Sequence, residues 1–324
     1  MTRALALACL CAILSACSEP PEDSRPARNY QRVVTLAPSL TELVFEIGAG
    51  DILVGVSAWS DYPREVLELP VVGDAFSVDH EQLAMLRPDL LLVWESGTPA
   101  HTVDELRHLG YEVAVIRTRG LKDIGAALRQ LGALVSRSTE ARLAAERFEQ
   151  QLTMLREAHQ DAEPISVFFQ VSARPLYTIN REHYLSELIA ICGGRNIFDD
   201  LEELAPTVSV EAVVERNPEV MLASTDAGDD GFAEWQRWPT IAANLYGNQF
   251  LLAADELARP TPRLIKAGGA MCLALQRARF NRAAFLGADA AEEATAGRDP
   301  KALPRPHSDG PGRGQPQTAD PTDD

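Results

Sequence analysis

Three stretches of the chain begin like catalytic motifs, and each fails at the residue the chemistry needs. Gly55-Val56-Ser57-Ala58-Trp59 starts like the strained turn that exposes a nucleophilic serine, but tryptophan stands where that turn closes on glycine. Gly50 to Ser57 has the glycine spacing of a phosphate-cradling loop, yet Val56 occupies the position of the lysine that would neutralise the phosphates. His80-Glu81-Gln82-Leu83-Ala84 opens like a zinc-protease helix and ends in alanine instead of the second histidine ligand. No Cys/His cluster offers another metal site. The residues therefore point to a protein that is not an enzyme and that holds no catalytic, metal or cofactor centre of its own.

The cysteines carry a different chemistry. Arg3, an apolar stretch from Ala4 to Leu14, and then Leu14-Ser15-Ala16-Cys17 read as an export signal ending in a lipoprotein cleavage box, over residues 1–17. The apolar run is too short to span a bilayer, so Cys17 is the expected lipidation site and the anchor is its acyl chains. Of the five cysteines only Cys192 and Cys272 lie in the body of the exported chain. In an oxidising compartment they suggest one disulfide; two separate buried thiols is the alternative. A formal charge of -17 argues against nucleic acid or an anionic membrane surface as the main partner.

The elements that would position any site follow from periodicity. Residues 18–30 read as a tether and residues 286–324, rich in Ala, Gly, Pro and Asp, as a disordered tail. Between them, residues 31–137 alternate strand-like runs (Arg32 to Leu36, Ile52 to Val56, Leu90 to Trp94, Glu112 to Ile116) with helices, an α/β lobe with a largely parallel sheet. Ser39-Leu40-Thr41-Glu42 and Thr102-Val103-Asp104-Glu105 read as capping boxes opening two of those helices, which close near Gly48 and Gly110. Residues 138–160 lack Gly and Pro and place Leu143, Phe148, Leu152 and Leu155 at helical spacing, which predicts one long connecting helix. Residues 161–285 form a second α/β lobe, with strands at Ile165 to Val171 and Val220 to Ala223 and a helix from about Pro262 to Ala278. An internal echo relates the lobes. Val78 to Leu90 and Val208 to Val220 each place a glutamate, Glu81 or Glu211, seven residues before a Pro-acid pair that stops a helix and starts a strand.

Arg32-Val33-Val34-Thr35-Leu36-Ala37-Pro38-Ser39-Leu40-Thr41-Glu42, Val54 to Pro63, Cys192-Gly193-Gly194-Arg195-Asn196-Ile197-Phe198 and Pro262-Arg263 together resemble the periplasmic vitamin B12-binding protein family, within the wider group of iron-chelate and cobalamin binders. The resemblance runs from about residue 31 to 281. It implies two α/β lobes joined by a single rigid helix, with a corrinoid clamped between them and passed to the permease and ATPase subunits of an ABC importer. The expectation is a periplasmic monomer, held at a membrane by the lipid anchor that the Cys17 box predicts.

At matching positions the family places ligand contacts at Trp59, Trp94 and Tyr177, with Asp255 and Arg259 as polar lining. Two family tryptophans are replaced, near Ala75 and at Ala205, and Phe76 stands in for the first. Glu81 and Glu211 match the family's permease-docking glutamates. Other packings compete: Trp94 and Tyr177 as core, and Asp255 with Arg259 as a pair, four residues apart. Two other functions also stay open. One is a haem or ferric-siderophore carrier of the same fold, with Tyr177 and His183 as iron ligands; the other is a surface-anchored module that binds no small molecule.

Overall fold

The computed structural model describes residues 29–74, 76–225 and 231–296, with side chains described as far as residue 288. The first lobe runs β1 (Val33–Thr35), α1 (Pro38–Glu46), β2 (Leu53–Val56), α2 (His80–Leu86), β3 (Leu90–Trp94), α3 (Ala100–His108), β4 (Val113–Ile116) and α4 (Leu121–Leu134). A 22-residue helix, α5 (Ser138–His159), leads out of it. The second lobe follows with β5 (Ile165–Gln170), β6 (Ser172–Ala173), β7 (Leu176–Tyr177), α6 (Tyr184–Ile191), β8 (Gly194–Asn196), α7 (Val210–Arg216) and β9 (Val220–Ser224). It ends with α8 (Ala242–Leu245), β10 (Gln249–Leu252), α9 (Ala254–Leu257) and α10 (Leu264–Ala296).

Each lobe has a four-stranded parallel sheet, in the orders β2-β1-β3-β4 and β10-β9-β5-β8. Numbered from the first strand of each lobe, these are one order, 2-1-3-4, read from opposite edges. The sheets are covered on both faces, which is why β3 and β9 read as continuous apolar runs rather than alternating ones. The internal echo is structural: α2 and α7 are both seven residues long and are capped by the side chains of Asp79 and Ser209. Both end on a left-handed residue, Arg87 (φ 46°) or Asn217 (φ 43°), ahead of Pro88 or Pro218.

One hydrophobic cluster passes through both lobes. It includes Leu40, Leu43 and Val44 of α1, Leu128 and Leu131 of α4, Ala144, Ala145 and Phe148 of α5, Leu188 of α6 and Leu275 of α10. α5 lies along α4 and is packed by α6 and α10 from the other lobe, so the connection is a shared core. A disulfide joins Cys192 at the end of α6 to Cys272 in α10.

Four details differ from the sequence reading. Neither capping box is used: α1 starts at Pro38 behind an extended Ala37, and α3 starts behind Pro99, neither with a side-chain cap. Proline's fixed φ suits it to the first position of α1, which pulls Ser39 into the helix. Leu143 faces solvent, and the buried stripe of α5 is Ala141, Ala144, Ala145, Phe148 and Leu152. Finally, α10 continues to Ala296, eleven residues into the stretch expected to be a disordered tail. Ala288, Ala290, Ala291, Ala294 and Ala296 carry high helix propensity, which outweighs their low hydropathy.

Candidate functional site

In an open parallel sheet the chain leaves the carboxyl ends of neighbouring strands in opposite directions at the point where the order reverses, and a crevice opens there. In the first lobe that point lies between β1 and β3. The loop after β1 contributes Leu36 and Ala37, the start of α1 contributes Pro38, and Trp94 ends β3. With Ser57, Ala58 and Trp59 after β2, and Asp74, Phe76 and Gly97, they line an apolar cavity of about 370 Å³. A second cavity, of about 290 Å³, shares Pro38, Trp59 and Trp94 and adds Ser39, Asp61, Asp255, Ala258 and Arg259. The two form one trough, apolar at the first lobe and charged where the second lobe meets it.

Local structure aims the aromatics. Trp59 sits at φ 67°, and its side chain is 82% exposed. Phe76 is 76% exposed, on a turn in which Asp74 Oδ1 accepts from the Phe76 and Ser77 N–H groups, both at 2.8 Å. Trp94 is partly buried against the shared core, and among the described residues its Nε1 has no hydrogen-bond partner. The chain passes close behind this ring at Gly97, where a Cβ would lie 2.4 Å from Trp94 Cε3. Next to Trp94, Arg119 binds Glu95 through two bonds of 2.9 and 2.6 Å and holds its carboxyl below the usual range.

The charged end of the trough is an ion-pair network between lobes. Glu42 of α1 is almost fully buried, and Arg259 Nη1 (2.9 Å), Arg263 Nη1 (2.7 Å) and Thr261 Oγ1 (2.9 Å) all donate to it. Arg259 also donates to Asp61 Oδ1 (2.6 Å) and to the Trp59 carbonyl (2.9 Å). Burial works against the Arg259 charge, but the bonds to Asp61 and Glu42 outweigh it and its pKa is raised. Asp255 of α9 lies farther away, at 3.7 Å, so this i,i+4 pair is the weakest of Arg259's contacts.

Of the residues named from sequence, Trp59, Trp94, Phe76, Asp255 and Arg259 are brought together. Tyr177 is not in the trough. It lies on the β6-β7 hairpin at the carboxyl end of β5, its carbonyl accepting from Val171 N–H. Ala205 is exposed, and Ala75 and Cys17 lie outside the described residues. His183 caps α6, with Nδ1 accepting from Leu185 N–H at 3.2 Å. Glu81 and Glu211 are exposed, each the second residue of its helix. Sequence reasoning missed Glu42, whose spacing from Ser39 imitates a cap, together with Asp61 and Gly97. The available signal for Glu42 was an acid inside an otherwise apolar helix.

The periplasmic binding protein family matches residues 33–261. The vitamin B12-binding protein of Vibrio cholerae serotype O1 is 35% identical over 247 residues, covering 76% of this chain and 89% of that protein. A crystal structure of the periplasmic vitamin B12-binding protein of Vibrio cholerae matches with a TM-score of 0.70 at 35% identity, covering 78% of this chain and 98% of that one. A periplasmic haem-binding protein from Pseudomonas aeruginosa matches with a TM-score of 0.66 at 25% identity, covering 76% and 92%. With a family match over most of the folded chain and a 35% identical relative covered to 89% of its length, the chain belongs to the periplasmic binding protein family.

Proposed function

We propose that this chain is the solute-binding component of an ABC importer and that it captures a corrinoid such as cobalamin. The observation that carries the reading is the grouping of Trp59, Phe76 and Trp94 around one apolar trough whose far rim is Asp61, Asp255 and Arg259. A wide macrocycle with an amide-bearing edge needs that combination, flat apolar faces beneath it and a few placed polar groups at its margin. The vitamin B12-binding relatives support the ligand class. Export and lipidation at Cys17 would hold the carrier at a membrane in the periplasm. Glu81 and Glu211 would meet the permease, and Tyr177 would approach the ligand from the second lobe.

Calorimetric titration of the protein with cyanocobalamin and, separately, with haem tests this. The expected outcome is equimolar binding of cyanocobalamin with quenching of tryptophan fluorescence. Trp94→Ala should lose about 2 kcal/mol of that affinity, since buried aromatics are frequent hot spots. Binding of haem alone would overturn the corrinoid assignment and keep the carrier. Binding of neither would remove both.

A further inference from the structure

The loop that carries Trp59 belongs to the first lobe, but the second lobe holds it. Ala58 N–H donates to Gly73 O (2.7 Å), Ser60 N–H closes a turn on Ser57 O (3.3 Å) and the Ser60 hydroxyl lies 3.3 Å from that of Thr41 in α1, which tie the two sides of the loop to its own lobe. The Trp59 carbonyl instead accepts from Arg259 at 2.9 Å, Asp61 accepts from the same guanidinium at 2.6 Å, and the Tyr62 ring lies 4.2 Å beneath the Arg263 guanidinium. Both arginines come from the segment between α9 and α10, and both are oriented by the buried carboxylate of Glu42.

Trp59 needs an outside hold. A bulky residue disfavours φ 67°, and an indole 82% exposed gains little packing to fix it. Arg259 supplies that hold with three of its five N–H groups, on Glu42, Asp61 and the Trp59 carbonyl. These bonds tolerate only a few tenths of an ångström, so a small increase in lobe separation breaks them.

We propose that Arg259 and Arg263 are positioning residues that couple the stance of Trp59 to the separation of the two lobes, so that parting the lobes releases the aromatic plate and with it the ligand. The release step rests on the corrinoid reading above; the coupling itself does not. It differs from the role the resemblance gives Arg259, which is contact with the ligand.

The experiment uses protein labelled with 5-fluorotryptophan, the Trp59 fluorine resonance being assigned by its loss in Trp59→Phe. Arg259→Lys keeps the charge but cannot make the fork, and half-exposed Asp61→Asn removes one of its partners with less risk to folding. In both variants without ligand, the Trp59 resonance should move and sharpen while that of fully buried Trp235 stays in place. Cyanocobalamin should dissociate roughly tenfold faster from Arg259→Lys. A Trp59 resonance unmoved in both folded variants would overturn the coupling, and faster dissociation with an unmoved resonance would make Arg259 a direct ligand contact instead. A shifted resonance in a protein that never binds cyanocobalamin would keep the coupling and sink the corrinoid reading.

Discussion

Burial pushes the His183 imidazole down to about 4 from its ordinary value near 6.5 by withholding water from the charged form; the ring lies tilted 4.3 Å from that of Tyr184, and its Nδ1 accepts from Leu185 N–H at the start of α6. Between those two pH values the unfolded chain binds a proton at this position and the folded chain does not, so stability falls as pH drops from 6.5 towards 4. The loss at the acid end is roughly 1–3 kcal/mol, the upper figure applying if the ring excludes solvent fully. His183→Asn keeps a capping acceptor and removes the titration, so its unfolding midpoint should change less than wild type across that range in urea melts at stepped pH. An unaltered pH dependence would place the acid sensitivity elsewhere. His183 was named as an iron ligand because a haem carrier needs a Tyr or His, and the residue type reads the same whether it faces a ligand or, as here, caps a helix. The exposure of Trp59 was legible because a polar loop cannot bury it, whereas Phe76 was reached only through the resemblance, as the stand-in for a family tryptophan. Glu42 was not, since its partners Arg259 and Arg263 are more than 200 positions away in the chain.

At the scale of elements, α6 and α10 are joined by the Cys192–Cys272 bridge across 80 positions. Closing a loop of that length restricts the unfolded chain by about 4 kcal/mol in the chain-entropy model. Replacing both cysteines with alanine should therefore lower urea stability by roughly that amount while leaving the circular dichroism of the folded state unchanged. Two thiols found in the denatured, unreduced wild type would show that the bridge does not form. The strands and α5 were readable from periodicity because a parallel sheet buried on both faces leaves continuous apolar runs and a Gly- and Pro-free helix leaves a repeating stripe. Helix starts were less readable. Ser39 with Glu42 and Thr102 with Glu105 have capping spacing, but in each case the helix begins with or just after a proline upstream (Pro38, Pro99). β8 escaped notice because Gly194-Arg195-Asn196 has almost no strand propensity and is held in the sheet by pairing with β5.

Across the whole molecule, the repeated 2-1-3-4 topology places α2 and α7 at corresponding points of the two lobes. A helix between parallel strands runs antiparallel to them, so the N-termini of both helices, and with them exposed Glu81 and Glu211, lie toward the carboxyl ends of the strands, the side of the sheet on which the trough opens. A carrier with two equivalent lobes presents one carboxylate per lobe, a pattern that fits a two-fold permease with an arginine on each subunit. Each glutamate also favours its helix dipole by position alone, and that contribution is intramolecular. Reversing both charges, Glu81→Lys with Glu211→Lys, separates the two roles. If the glutamates dock, cyanocobalamin affinity should be retained while binding to the importer weakens, most strongly at low salt, where electrostatic steering is least screened. Each single reversal should weaken the complex by an intermediate amount, because the two contacts lie on different lobes and share no partner. If instead they serve only their helices, the double variant should lose up to about 2 kcal/mol of folding stability and associate with the importer as wild type does. Surface plasmon resonance against the purified importer at stepped ionic strength, run beside urea melts of the same variants, decides between them.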